Sequence, residues 1–359
     1  MAIGAVLFSH GFLLADASTR RARAISYTAG YLGGLGVAIF FAISGYLITT
    51  LLLREHTESG RICLRGFYLR RAFRILPPAY VYLGFLFLLG RPLAKGEFAS
   101  AAFFYSNYWA DRTWWTQHFW SLSMEEHFYL LWPAALVLLG ISGALRAAGV
   151  AICAILLWRP WSLTHLELPF PALQRTDMRL DAFLFAGVLA IALHSGGRQG
   201  GVRGVTMALT KVLTSGSFRI AGWVALAAVS AWSLAGSAPA IGTLLQSALL
   251  PPLLVSAVLW PGSVIYRFLE WAPLRWIGRI SYGLYLWQQL FLVGHSEPTL
   301  AAAAVAFLPR LAAIFAAATV SYYLMERRLL HYGRSLSTRF THTPAAPPLA
   351  FAKRTSSIM

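Results

Sequence analysis

Residues 36–53, GVAIFFAISGYLITTLLL, run for eighteen positions without one charged side chain. At about 1.5 Å per residue a helix of this stretch reaches about 27 Å, close to the roughly 30 Å hydrocarbon core of a bilayer. Arg54 follows at once, as at a membrane surface. Working outward, apolar runs recur along the chain, each broken by short segments rich in arginine, glycine or proline. The composition agrees: 58% of residues are hydrophobic and 12% charged, against roughly 45–50% and 25% in a soluble domain. An ordinary soluble enzyme is thereby excluded, and the fold class is all-α, a polytopic membrane protein built as a bundle of about ten transmembrane helices. The expected spans are 2–15, 36–53, 76–90, 119–140, 146–158, 180–194, 218–235, 241–260, 280–296 and 303–325. The run at 98–109 is interrupted by Asn107 and followed by Asp111 and Arg112, and reads as an interfacial or re-entrant piece.

The formal net charge is +17. In such a chain excess arginine belongs to cytoplasmic loops facing anionic lipid, not to nucleic acid. With an even number of spans and the amino terminus inside, twenty of the thirty basic residues fall on the cytoplasmic side, among them Arg54, Arg61, Arg65, Arg70, Arg71 and Arg74. Arg20, Arg21 and Arg23 are assigned to an outer loop, as is Arg159. Both termini are therefore expected in the cytoplasm. Arginine outnumbers lysine 27 to 3, a composition that points to a GC-rich bacterial genome and so to the inner membrane. The chain divides into a transmembrane domain over 1–326 and a tail over 327–359, read as a disordered cytoplasmic segment because of its proline cluster and charge. Cys63 and Cys153 form neither a metal spacing nor a disulfide framework, and no metal is expected. The amino terminus lacks a basic leader, so the first span is expected to stay in place. It is short: fourteen helical residues reach only about 21 Å, which suggests that it is buried among other helices or that Met1 lies inside a longer reading frame.

Five groups of residues carry possible chemistry. His10 lies in the apolar stretch AIGAVLFSHGFLL, where an ionisable side chain is a functional candidate by default, though a neutral interhelical hydrogen bond explains it equally well. His10 and Asp16 do not match the His-x4-Asp spacing of glycerolipid acyltransferases. In FYLRRAFRILPPAY, Arg70, Arg71 and Arg74 fall within about one helical turn, and Arg71 and Arg74 share a face. Guanidinium forks suit phosphates, while lipid headgroups offer a simpler use for them. In HFWSLSMEEHFYLLWP, Ser123 and Glu126 fit a capping box that would start the helix. Glu125 lacks that explanation and, beside His118 and His127, either answers the helix dipole or orients a reacting group. In RLDAFLFAGVLA, Arg179 and Asp181 read most simply as an exposed ion pair at the outer surface. The stretches ISYGLYLWQQ and SYYLMERRLL place aromatic residues at membrane boundaries.

Taken in order with GVAIFFAISGYLI, these segments resemble the acyltransferase 3 family of integral-membrane O-acyltransferases, over nearly the whole of residues 4–330. The resemblance implies transfer of an acyl group, commonly acetyl, from a cytoplasmic acyl-CoA to a hydroxyl, usually of a sugar on a cell-surface glycan or secreted molecule. It implies that His10 is the acyl acceptor or general base, that Arg71 and Arg74 are the Arg-x-x-Arg pair at the cofactor, and that Glu125, Arg179 and Asp181 match further motif positions. The family's arginine eleven positions before its histidine would fall ahead of Met1. His127 stands in place of a usual glutamine and Gln288 in place of a common histidine. Partners implied are acyl-CoA, a carbohydrate or glycolipid acceptor, membrane lipid and, for onward transfer, a separate extracytoplasmic transferase. A multi-pass transporter or flippase would also show many helices and intramembrane charge, but no two halves of the chain repeat one another.

Overall fold

Helices in the computed structural model run well past the apolar cores that nucleate them. It describes residues 2–12, 20–166, 168, 172–194, 200–235, 239–260, 263–292 and 300–341. The order is α1 (Ala2–Phe12), α2 (Arg20–Ser59), α3 (Leu64–Leu88), α4 (Glu97–Ala102), α5 (Phe119–His165), α6 (Thr176–Arg179), α7 (Asp181–His194), α8 (Gly200–Thr214), α9 (Gly216–Leu234), α10 (Pro239–Val258), α11 (Val264–Leu269), α12 (Ala272–Phe291), α13 (Leu300–Ser321) and α14 (Arg327–Thr341). A π-turn over Tyr322–Glu326 joins the last two. No strand occurs among the described residues.

Five helical stretches there are long and apolar enough to cross a membrane: Arg23–Ser59, Trp114–His165, Gly216–Leu234, Ile241–Val258 and Ala304–Phe340. The second contains two of the expected spans, because Gly140 adopts φ +67° and breaks α5 into two limbs. Positive φ is cheap only for glycine, so the chain turns there without a loop. The expected first and sixth spans are shorter helices, α1 and α7. Residues 13–15 and 293–296 of the expected spans lie outside the described residues.

Three expectations need correction. Arg20, Arg21 and Arg23 are not in a loop but in the first turn of α2; hydropathy ended the element at Gly36, whereas Tyr27, Tyr31 and the small residues between them continue it. Residues 200–214, read as loop, form α8. Residues 327–341, read as disordered tail, form α14 against α3, with Tyr332 and Phe73 ring centroids 5.5 Å apart. Both missed helices are amphipathic, and in α14 the cations take one face and the apolar anchors the other, so their composition resembles a loop while their period is helical. Residues 342–359 lie outside the described residues.

The core is aromatic. Phe41 of α2, Phe183 of α7 and Phe128 of α5 stack at 4.4 and 4.7 Å, and Trp132 continues the stack at 6.0 Å from Phe128. Gly45 lets α2 and α7 approach: a Cβ there would sit 2.4 Å from the Phe183 carbonyl oxygen. Backbone cannot yield as a flexible side chain does, so Gly45→Ala should destabilise the bundle by about 1–3 kcal/mol. A thermal melt in detergent checks this, and an unchanged midpoint would refute the close approach.

Candidate active site

Five helices surround a cavity of about 350 Å³. The hydroxyl of Tyr82 on α3 donates to the Trp115 carbonyl at 2.7 Å, and that of Tyr68 to the Leu130 carbonyl at 2.9 Å. These bonds lay α3 antiparallel to the first limb of α5 and fix which of their residues face each other. Arg71 and Arg74 consequently line the cavity beside Glu125 and Tyr129, with Ser44 arriving from α2 and Tyr282 and Tyr285 from α12. Arg70 points elsewhere and pairs with Glu55 at 3.4 Å. The three arginines thus divide as the helical face predicts.

Glu125 is buried, and one of its oxygens accepts from Ser44 Oγ at 2.9 Å and from the Tyr129 hydroxyl. The Arg71 guanidinium lies 4.7 Å over the Tyr129 ring. Glu125 therefore belongs to a cavity wall carrying two arginines, a serine and a tyrosine. Its hydrogen bonds go to Ser44 and Tyr129 and not to His118 or His127. His127 Nδ1 meets Thr176 Oγ1 at 2.7 Å instead, as expected of side chains that leave one helix in different directions. The capping-box reading also fails. The helix begins at Phe119, a turn before Ser123, and Ser123 Oγ donates to the Phe119 carbonyl at 2.9 Å while accepting the Ser106 N–H at 3.1 Å. Glu126 is left with its Oε1 buried and without a hydrogen-bond partner.

His10 packs edge-on against Trp114, ring centroids 5.3 Å apart, and lies against Gln288. Its Nδ1 is buried without a partner. Trp114 is clipped to α12 by two reciprocal bonds, Trp114 Nε1 to the Gln289 carbonyl and Gln289 Nε2 to the Trp114 carbonyl, each 3.0 Å. His118 is 2% exposed and packs on Tyr82, Phe119 and Tyr285. It lies within electrostatic range of His10.

Arg179 and Asp181 are not an exposed pair. Asp181 is fully buried and sits 2.7 Å from Arg159 Nη2, whose side chain is also buried. The second limb of α5 returns Arg159 to α7, a long-range event that hydropathy placed in an outer loop. Arg179 donates to the Gly34 carbonyl at 3.5 Å and lies 5.9 Å over Trp120.

Two further carboxylates were not singled out from sequence. Glu97 accepts from the backbone N–H groups of Ala94 and Thr113 at 2.6 and 3.0 Å and from the hydroxyls of Thr113 and Thr116, tying down the segment between α4 and α5. Glu326, in SYYLMERRLL, is buried in the π-turn and accepts from Ser321 Oγ at 2.8 Å. A second, more open hollow of about 560 Å³ lies by Tyr108, Trp158, Thr176 and Asp177. Burial would raise the Asp177 pKa, but hydrogen bonds from Arg175 and Trp158 and the Arg175 charge hold it below the usual carboxylate range. Among the described residues no three His, Cys, Asp or Glu side chains are grouped as a metal ion would need.

The cavity can seat an anion between Arg71 and Arg74, and the histidines beyond it can move a proton or carry an acyl group. Comparison with known proteins gives this geometry a context. The family model described as "Acyltransferase domain", that of acyltransferase 3, matches residues 1–326. The putative peptidoglycan O-acetyltransferase YrhL of Bacillus subtilis is 29% identical over 290 residues, which are 73% of this chain and 44% of that protein. The peptidoglycan O-acetyltransferase OatA of Listeria monocytogenes is 30% identical over 287 residues, 71% of this chain and 44% of its own length. A putative O-acetyltransferase of Staphylococcus aureus, SACOL0978, is 41% identical over 124 residues, 30% of this chain and 20% of that protein. The matched region spans less than half the length of each of these curated relatives. No solved structure matches.

Proposed function

The chain belongs to the acyltransferase 3 family, and from that premise we propose that it is a membrane O-acyltransferase moving an acyl group, most simply acetyl, from a cytoplasmic acyl-CoA to a sugar hydroxyl of a cell-surface glycan. The single observation that carries the reading is the cavity itself: Arg71, Arg74 and Glu125 in its lining, and His10 on α1, one turn beyond the cavity-lining Val6. The phosphates of coenzyme A need charged partners at a membrane, and two guanidinium groups on one helix face provide them. The relatives' names, which specify peptidoglycan O-acetyl transfer, support acetyl as the group and carbohydrate as the acceptor. Tyr108, Trp158 and Asp177 add a hollow with aromatic faces beside a carboxylate, chemistry that suits a sugar ring.

In this reading His10 takes the proton of the acceptor hydroxyl, and Glu125, held by Ser44 and Tyr129, sets the charge of the cavity wall facing the arginines. The full architecture is a bundle of about ten spans in a bacterial inner membrane, with a transmembrane domain over 1–326. A separate extracytoplasmic transferase is the further partner that accepts the acyl group if the glycan does not take it directly. Both termini and residues 54–74 face the cytoplasm. Reporter fusions after Ser59 and Ser337 should behave as cytoplasmic, and periplasmic activity at both would remove the arginines from any cytoplasmic donor.

The donor claim has its own test. Arg71→Ala and Arg74→Ala should each weaken acetyl-CoA binding about tenfold to hundredfold, since a lost charge-assisted contact is worth about 1.5–3 kcal/mol. Binding to protein purified in detergent measures this directly. Wild-type affinity in both variants would assign the pair to lipid headgroups.

A further inference from the structure

Several buried polar atoms without a hydrogen-bond partner lie where α1, α12 and the start of α5 meet. They include His10 Nδ1, Gln288 Oε1, Trp287 Nε1 and the nitrogens of the His118 ring, which form no well-aligned hydrogen bond although the Leu286 backbone lies beside them. Contacts link them: His118 packs on Tyr82 and Tyr82 on Trp287, while Gln288, which lies against His10, donates from Nε2 to the Tyr285 carbonyl at 3.1 Å. A dry helical core normally pairs such groups, so a concentration of them marks a place that handles a polar reactant.

The cluster adjoins the cavity through His118. Ser121 and Tyr285 line the cavity, and their hydroxyls donate to the His118 carbonyl at 3.1 and 3.0 Å. The His118 ring packs against Tyr285 with centroids 5.6 Å apart, whereas His10 packs against Trp114. The first histidine thus stands directly behind the cavity wall, and the second stands beside the loop that leads into α5.

We propose that His118 is a second reacting group, whose ring nitrogen receives the acyl group from the thioester in the cavity before His10 directs the acceptor hydroxyl to it. The inference rests on the acyl-transfer reading and adds a covalent step to it. In the first half, a lone pair of His118 attacks the thioester carbonyl and the carbon–sulfur bond breaks with its electron pair on sulfur. The ring N–H proton of the acylated imidazolium passes to that thiolate, leaving a neutral acyl-imidazole and a free thiol. In the second half, His10 takes the proton of the sugar hydroxyl as the oxygen attacks the acyl carbon. The carbon–nitrogen bond breaks with its electron pair on His118, and the proton held by His10 returns to that nitrogen. The net products are one ester and one thiol. Burial suits this chemistry, because an acyl-imidazole survives only where water is excluded.

The test is rapid quenching of purified full-length chain with acetyl-CoA and no acceptor, reading thiol release and locating the acetyl group by peptide mass spectrometry. The expected result is one equivalent of thiol released in a burst, with acetyl on the peptide containing His118. His10→Ala should keep the burst and accumulate that adduct, a readout that does not depend on any change at His118. His118→Gln should slow the burst about a hundredfold or more while still binding acetyl-CoA. Acetyl found on His10, or a normal burst in His118→Gln, would overturn the proposal. Turnover with acceptor but no burst without it would sink the covalent step alone. A wild-type chain that neither binds acetyl-CoA nor releases thiol under any condition would instead sink the underlying acyl-transfer reading.

Discussion

His10→Ala should lower acyl delivery to the acceptor by about a hundredfold to ten-thousandfold, the range lost when a positioned base is removed. The substitution takes an ionisable group out of an apolar helix, which eases membrane insertion, so lost activity cannot be charged to failed integration. The ring's contacts are modest. It packs on Trp114 and lies against Gln288, with Nδ1 unpartnered. A purely structural histidine in that setting would leave turnover close to wild type on truncation. Acyl transfer per correctly inserted molecule, measured against wild type in the same vesicles, separates the two outcomes. Glu125→Gln should lower turnover more mildly, because the amide keeps a hydrogen-bond acceptor for Ser44 and Tyr129 but removes the carboxyl group beside Arg71 and Arg74.

Asp181→Ala should cost about 3–5 kcal/mol of stability, the range expected when one partner of a buried pair is removed. Both side chains are almost wholly inaccessible, 3% for Arg159 and 0% for Asp181, and they meet at 2.7 Å. Without the carboxylate, the Arg159 guanidinium loses its nearest negative charge in an apolar bundle, with Arg179 adding a second positive charge nearby. The pair joins the returning limb of α5 to α7, so its loss should separate those helices before the rest of the bundle melts. A thermal melt in detergent, followed by fluorescence of the neighbouring tryptophans, checks this. An unchanged midpoint would mean the pair contributes nothing net.

What the chain discloses along its length and what it withholds divide on whether the contact is local. The apolar run at 36–53 identified a membrane helix because eighteen residues suffice to be read alone. Arg71 and Arg74 could be placed on one face from three-residue spacing, and the cavity confirms that they share a wall. Arg70, one residue away, goes to Glu55 for the same reason. By contrast, Glu125 is two residues from His127, to which it makes no hydrogen bond, and its partner Ser44 is 81 residues away. No local pattern reports such a pairing. Arg159 was misplaced because an arginine near the end of an apolar run reads as a loop residue, whereas the Asp181 that accepts it stands on a different helix. The helical period of α8 and α14 was present in the sequence, but low hydropathy concealed it. His118 was visible as a candidate, yet its relation to Tyr285 and the cavity depends on α12 packing beside α5.

Sealed vesicles reconstituted with the full chain distinguish acyl transfer from a coenzyme A thioester from carriage of a glycan. Acetyl-labelled acetyl-CoA is supplied on the side of residues 54–74, and a soluble peptidoglycan-derived oligosaccharide on the other. Label is expected to become covalently attached to the oligosaccharide with matching thiol release over many turnovers, whereas His10→Ala should abolish the transfer and hold thiol release to no more than the single equivalent of the first half-reaction. Oligosaccharide that crosses the membrane unlabelled, or wild-type multiple-turnover thiol release in His10→Ala, would contradict this.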